Sequence, residues 1–393
     1  MHIVNEEYCC GCTACKNICP NQAINMEKSK EGFFYPQVDE EKCINCLLCE
    51  RVCPFNEKKA QELKNKLPRV YAVKNKNSEI RKNSSSGGVF TAIAKCILDN
   101  DGIVYGATFD DDMSIIHKRI TTKGELEQLR GSKYVQSNMK EVFAEIKELL
   151  ENTNKQILFV GTPCEIAGLK AFIGEKLNKQ IILCDIICHG VPSPLIWSEQ
   201  IKFLEKKYKQ KVKWYKFRDK SNGWHTHTEQ VILQNGSTDN SSAISQSYKQ
   251  LFHSNLILRK SCYNCKFADI DRVSDITIGD FWGIDKVMPD FDDNKGISLM
   301  LINNEKGQEL FEIIKKDIIY RESNTKDCMQ PQLQHPTLKP RKRDIMWNEY
   351  YKKGYKFILK KYTRYGIYYR MKSHIKKILI NLEEIINKKK IIK

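Results

Sequence analysis

Apolar and polar positions follow two periods along this 393-residue chain. Arg69-Val-Tyr-Ala-Val-Lys74 alternates with period two and reads as a strand, as do Gly102–Thr108 and Ser114–Thr121. Gln156–Val160 and Gln180–Ile187 are near-continuous apolar runs, the pattern of strands buried on both faces. The first runs into Gly161-Thr162-Pro163-Cys164 and a helix over Glu165–Phe172. The second runs into Cys188-His189-Gly190-Val191-Pro192-Ser193-Pro194 and a helix over Leu195–Tyr208. Met139–Leu150 has the spacing of an amphipathic helix. Lys211–Asp219, Thr228–Gln234, Asp275–Ile278 and Ser298–Ile302 read as further strands, and Glu305–Lys315 as a helix. Two strand–loop–helix units in tandem predict a parallel α/β region, and their loops fall at the strand carboxyl ends, where open sheets place ligands.

The first 54 residues follow neither period and are organised by cysteine. Cys9-x2-Cys12-x2-Cys15-x3-Cys19-Pro20 is repeated as Cys43-x2-Cys46-x2-Cys49-x3-Cys53-Pro54. This spacing resembles a two-cluster ferredoxin, in which three thiolates hold one cubane and the fourth ligates the other. One [4Fe-4S] cluster is therefore assigned to Cys9, Cys12, Cys15 and Cys53, the second to Cys43, Cys46, Cys49 and Cys19. Zinc knuckles or disulfides do not account for two identical runs each closed by proline. Cys10 falls outside the spacing and reads as a spectator.

The length implies two or three domains. The start has neither a basic n-region nor an apolar h-region, and no apolar run reaches the roughly eighteen residues of a bilayer span. The expected location is cytoplasmic, with the sixteen cysteines serving as metal ligands rather than cross-links. Of the net charge of +17, residues 339–393 carry +14, from 18 Lys+Arg against 4 Asp+Glu. Aromatics interleave the cations there (Trp347, Tyr350, Tyr351, Tyr355, Phe357, Tyr362), and Ile375–Ile392 has the spacing of a basic amphipathic helix. Such a tail suits peripheral contact with an anionic membrane or a solvated helix; nucleic acid is not the expected partner.

Outside the repeated runs and Cys10, seven cysteines remain. Cys96 and Cys184 lie in apolar patterns and read as core, while Cys328 stands alone in a polar stretch. Cys164, Cys188, Cys262 and Cys265 all fall in loops and suit a four-cysteine metal site, either structural zinc or a third [4Fe-4S] cluster. Asn83-Ser84-Ser85-Ser86-Gly87-Gly88-Val89-Phe90, at the start of a helical pattern, suits a phosphate or an ordinary N-cap.

Five stretches occur in order: Ser85-Ser86-Gly87-Gly88-Val89-Phe90; Gly161-Thr-Pro-Cys-Glu-Ile-Ala-Gly-Leu169; Cys188–Pro194; Phe217-Arg-Asp-Lys220 with Gly223-Trp224; and Cys262-Tyr-Asn-Cys-Lys266 with Ser274-Asp-Ile-Thr-Ile-Gly-Asp-Phe-Trp-Gly283. Together they resemble the family of coenzyme F420 hydrogenase/dehydrogenase beta subunits over roughly residues 69–335. The resemblance implies FAD held between two halves beside an iron–sulfur cluster. It makes Cys164, Cys188, Cys262 and Cys265 ligands of a third [4Fe-4S] cluster. It also makes Ser84, Ser85, Ser86, Gly87, Gly88 and Phe90 flavin-binding candidates, with Asp280, Phe281 and Trp282 flanking the ring. Lys74, Arg130 and Lys133 become candidates for neutralising its phosphates.

The expected organisation is a ferredoxin-like domain (1–56), N-terminal (69–152) and C-terminal (153–335) beta-subunit domains in an α+β or α/β body, and a basic helical tail (339–393). The expected function is that of an iron–sulfur flavoprotein oxidoreductase. It would exchange electrons with a ferredoxin-type donor or a larger subunit, and with an organic acceptor such as a deazaflavin or a surface-polysaccharide-pathway substrate. The competing reading is a non-catalytic electron-relay component of a larger complex. No acid–base triad is expected, because cofactors carry this chemistry.

Overall fold

The computed structural model describes residues 5–56, 61–62, 64–65 and 67–366. Residues 24–38 form a hairpin of β1 (Ile24–Lys28) and β2 (Phe34–Val38) beside the two cysteine loops. The body is built on a mixed eight-stranded sheet. In chain order its strands are β3 (Arg69–Asn75), β4 (Ile103–Phe109), β5 (Ile115–Ile120), β6 (Ile157–Gly161), β7 (Ile181–Ile186), β11 (Ile276–Asp280), β12 (Ser298–Ile302) and β13 (Ile318–Ser323). Their spatial order is β13-β3-β12-β11-β7-β6-β4-β5. β4, β6, β7 and β11 run parallel at the centre, with antiparallel neighbours on both sides. A smaller antiparallel sheet holds β8 (Val212–Asp219), β9 (Thr228–Leu233) and β10 (Thr238–Asp239).

Alternation along the central strands sorts side chains into two cores. Ile157 and Phe159 face the helices Val142–Asn152 and Pro163–Asn178, whereas Leu158 and Ile182 face the helices Val89–Asp99 and Glu305–Ile314. The result is a three-layer α/β body, as the buried apolar runs imply. The helix after β6 starts at Pro163 and is broken at Gly174, whose φ of 73° and ψ of 174° are not helical.

The ferredoxin-type segment is packed into this body. Cys10, Cys12, Ala14, Val52 and Phe55 share a core with Phe143, Ile166 and Leu169. The hairpin turn seats beside the Pro194–Tyr208 helix, where Arg343 makes a two-pronged pair with Glu31, one prong 2.8 Å long. Lys64 pairs with Asp269, and Asn65 donates to the Arg272 carbonyl at 2.7 Å through its backbone N–H, fixing the described part of the connecting segment.

The described part of the basic end, up to residue 366, packs into the body. Helices Arg343–Lys353 and Tyr355–Tyr362 bury Met346, Trp347, Tyr355, Ile358 and Leu359 against Trp197, Ile201 and Tyr248. The aromatics alternate with lysines because one stripe is core and the other solvated. The segment Ile375–Ile392 lies outside the described residues. Among the described residues no helix is long and apolar enough to cross a membrane. Cys328 is likewise not isolated: it is buried with Trp224, Ala72 and Leu333.

Trp347 is 3% exposed. Trp347→Ala is expected to destabilise the protein by about 3–5 kcal/mol in urea unfolding. A value below about 1 kcal/mol would return this segment to the surface.

Candidate iron–sulfur and edge sites

Two tight αL turns, at Thr13 and Leu47, start the short helices that follow each cysteine loop. They fold the two runs towards each other. One cavity, about 460 Å³ of empty space partly open to solvent, is lined by Cys9, Cys12, Cys15, Cys49 and Cys53, with Met26, Pro36 and Phe55. Cys53 from the second run thus stands with three cysteines of the first. Burial pushes the Cys15 thiol up, and the charges of Cys9 and Cys53 add to it. Cys19 accepts from the Ala23 N–H at 3.3 Å. Cys43 and Cys46 are half-buried, so the second set of four lies nearer the surface.

Cys164, Cys188, Cys262 and Cys265 line a second cavity of about 530 Å³, again partly open. The Thr162–Glu165 capping box puts Cys164 in the first turn of its helix, with the Thr162 hydroxyl 3.2 Å from its sulfur. Cys188 follows β7 directly. The 3-10 turn Lys260–Asn264 presents Cys262 and Cys265, and the Val191 N–H points at the Cys262 sulfur, 3.3 Å away. Burial pushes both thiols up to about 12. His189 is fixed rather than free, bonded to Asn255 at 2.6 Å and Gln332 at 2.9 Å. Arg272, buried and paired with Asp185 at 2.9 Å, closes the wall.

Cys10 lines both cavities, as does Phe55. The neighbouring Cys12 thiol, together with burial, pushes its own thiol up. Cys10 forms part of the wall between the two cavities. The spacing that identifies its neighbours excludes it, so sequence carried no signal for this placement. Gly168 explains why the two units approach so closely: a Cβ there would stand 2.7 Å from the Cys12 sulfur.

The expected flavin residues lie at the carboxyl ends of the same parallel strands, but most are bonded within the chain. The Ser84 hydroxyl donates to the Ile80 carbonyl and that of Ser86 to the Ile297 carbonyl, both at 2.7 Å. Ser85 accepts from the Ser132 N–H at 2.8 Å. Gly87 is small because a Cβ would strike the Val73 carbonyl at 2.2 Å, and Gly88, with φ of 85°, caps the helix that Phe90 helps pack. Lys133 donates to the carbonyls of Gln128, Leu129 and Arg130, and Arg130 to the Thr91 hydroxyl. Lys74 lies 3.4 Å from Asp293 and 4.1 Å from the Phe291 ring centre. Phe281 is core. Asp280 pairs with Arg218 and accepts from the Trp224 indole at 2.9 Å. Trp282, 38% exposed, stacks on Trp224 at 5.0 Å and 3° with Arg218 5.0 Å from its ring. Arg218 keeps one buried Nη2 without a partner, a donor that fits an acceptor on a bound group.

The fold and the two cysteine-lined cavities define an iron–sulfur protein with a ferredoxin-type unit docked on an α/β body. Residues 8–56 match the 4Fe-4S dicluster domain. Residues 70–144 and 154–327 match the N-terminal and C-terminal parts of the coenzyme F420 hydrogenase/dehydrogenase beta subunit. The chain belongs to that oxidoreductase family. It is 25% identical over 195 residues to an F(420)H(2) dehydrogenase component of Methanosarcina mazei, covering 46% of this chain and 53% of that protein. The chain thus spans about half the length of this curated relative. A chain in a solved structure of the F420-reducing [NiFe] hydrogenase complex from Methanosarcina barkeri aligns at 16% identity and a TM-score of 0.46, covering 66% of this chain and 83% of that one.

Gly168→Val is expected to lower iron per chain by displacing Cys12 while far-UV circular dichroism stays unchanged. Wild-type iron content in this variant would show that the contact does not position the cysteine loop.

Proposed function

We propose that this protein passes single electrons along three [4Fe-4S] sites to or from an FAD that serves an organic acceptor. The sites are Cys9/Cys12/Cys15/Cys53, Cys43/Cys46/Cys49/Cys19 and Cys164/Cys188/Cys262/Cys265. The observation that carries this reading is the pair of adjoining cavities, each lined by four cysteines of one proposed set, with Cys10 and Phe55 common to both walls. Adjacent one-electron stations need such a shared dry partition.

The donor set favours clusters over single zinc ions. Zinc draws four sulfurs to about 2.3 Å from one point. Among the described residues no three His, Cys, Asp or Glu side chains gather closely enough to hold one ion. A cubane accepts thiolates spread around its faces, and both cavities are lined by cysteines from separate segments of the chain. Such clusters supply one-electron transfer at potentials set by charge, hydrogen bonds and burial. A flavin, when bound, supplies conversion between single electrons and hydride.

The chain's own residues hold and shield these groups. Phe55 and Phe267 pack edge to face at 5.6 Å and keep water from the partition. The Arg272–Asp185 pair stiffens the ends of neighbouring strands behind Cys188. The unpartnered Nη2 of Arg218 and the exposed Trp282 support placing the flavin at the strand edge, one face on the indole pair. Ser85, Lys133 and Lys74, being bonded internally, would shape that edge rather than grip a phosphate.

A second reading, an electron relay whose larger partner performs the chemistry, is favoured by the name of the curated relative, one component of a dehydrogenase. Stable co-purification with a larger oxidoreductase and no dye-coupled turnover alone would support it.

Anaerobic quantitation should return about twelve irons and one FAD per chain, from three cubanes and one flavin site. Cys188→Ser should lower iron to about eight, the content of two cubanes, while the ferredoxin-type signals persist in electron paramagnetic resonance (EPR). Colourless zinc-loaded protein, silent in EPR after dithionite, would defeat the proposal. Full iron without flavin would leave only the electron-relay part.

A further inference from the structure

Arg259 is fully buried, at 0% exposure, where the ferredoxin-type segment meets the body. It ends the buried run Leu256-Ile257-Leu258, and its backbone N–H donates to the Val191 carbonyl at 3.0 Å. Its guanidinium points into the cysteine unit. Nε donates to the Cys9 carbonyl at 2.6 Å, Nη2 to the Phe34 carbonyl at 2.8 Å, and Nη1 to Gln136 Oε1 at 2.9 Å. Nη2 also lies 3.7 Å from the Cys9 sulfur. The Tyr35 ring centre is 4.0 Å away and that of Phe33 5.4 Å. The same side chain lines the cavity of Cys164, Cys188, Cys262 and Cys265.

Among the described residues no carboxylate pairs with this cation. Carbonyls and aromatic faces offset part of the cost of burying it, but they carry no net charge. The group its N–H reaches is the Cys9 sulfur, which as a cluster ligand would carry negative charge. A cluster held by four thiolates is a polyanion, and gaining an electron adds one more negative charge. A fixed cation and an N–H aimed at a ligand sulfur both favour that reduced form.

We propose that Arg259 is a positioning residue that raises the reduction potential of the cluster at Cys9, Cys12, Cys15 and Cys53 above that of its near-identical neighbour. The two cysteine runs have the same spacing, so this cation supplies a difference the runs themselves lack. An electron entering at the more exposed set, Cys43, Cys46, Cys49 and Cys19, is thereby drawn inward to the junction with the body. Gln136 holds the geometry, accepting from Arg259 and donating to the Cys10 carbonyl at 3.1 Å. The inference rests on the cluster reading above.

The test is an anaerobic, EPR-monitored redox titration of the full-length, cluster-loaded chain. Arg259→Gln should shift one cluster's reduction equilibrium at least tenfold towards the oxidised form, about 59 mV for one electron, and move the others less. Arg259→Lys should move the same midpoint less, because it keeps the charge but not the fork. Iron and sulfide are measured on each sample. Wild-type protein without iron would defeat the cluster reading itself. Full iron in Arg259→Gln with every midpoint unmoved overturns the role of Arg259 alone. If Arg259→Gln does not retain iron, Arg259→Lys decides: a lowered single midpoint supports the inference and none overturns it.

Discussion

The arrangement depends on how closely the cysteine loop of the first run sits against the Pro163–Asn178 helix. Gly168 lets the Cys12 side chain into a space that any Cβ would fill. That one omission lets the first cysteine loop meet this helix at the boundary between two units, where Cys10 lines both cavities. Around it the boundary is held by groups that give a free energy of contact only in the docked state. Two of these are the Glu31–Arg343 pair and the Phe55–Phe267 contact. Breaking a pair as buried as Arg343 leaves an uncompensated charge, so the docked geometry is steeply preferred over a loosened one. A tethered ferredoxin free to tumble would not give the two cavities a common wall.

The sheet supplies the rest by geometry. Parallel strands end at one edge, so residues far apart in sequence arrive together: Cys164 after β6, Cys188 after β7 and Asp280 at the end of β11. Burying both faces of these strands is what makes that edge rigid. The price is helix packing on each side, which Gly307 allows by its size, since a Cβ there would stand 2.3 Å from the Asp275 carbonyl. Thr162 then satisfies the exposed N–H groups of the helix start and leaves Cys164 facing the cavity.

What the sequence revealed and what it hid follow from the range of the physics involved. The two cysteine runs were legible because cubane ligation is mostly local. The central strands were legible because burial on both faces leaves unbroken apolar runs. β13 was missed because it is an edge strand with four of six residues exposed, so its pattern is polar. Cys164, Cys188, Cys262 and Cys265 were legible only as loop thiols, since the sheet gathers them from well-separated parts of the chain. Arg259 was invisible: after Leu256-Ile257-Leu258 it looks like the solvated end of an apolar run, and only tertiary packing buries it. The described part of the tail is a different case. Lysine between tyrosines has the look of an interface, yet Trp347, Tyr355 and Leu359 form a stripe that the body covers.

The two ends of the proposed route fall at adjacent strands. β7 and β11 are neighbours, paired at Ile186 and Ile278, so their carboxyl ends stand about 4.8 Å apart. One leads into Cys188, the other into Asp280 and Trp282. The Trp282–Trp224 pair and the cavity that Cys188 lines thus follow the carboxyl ends of two neighbouring strands. Gln332 and Gln330 reinforce this, the first holding His189 beside Cys188 and the second donating to the Asp280 carbonyl at 3.2 Å. Arg218 fits the same logic from the other side. It pairs with Asp280 and still offers a buried N–H, so it can accept a polar bound group without moving the acid that anchors Trp224. The two cations differ: Arg259 reaches the Cys9 sulfur and has no carboxylate partner among the described residues, whereas Arg218 is paired with Asp280 and presents direction rather than charge.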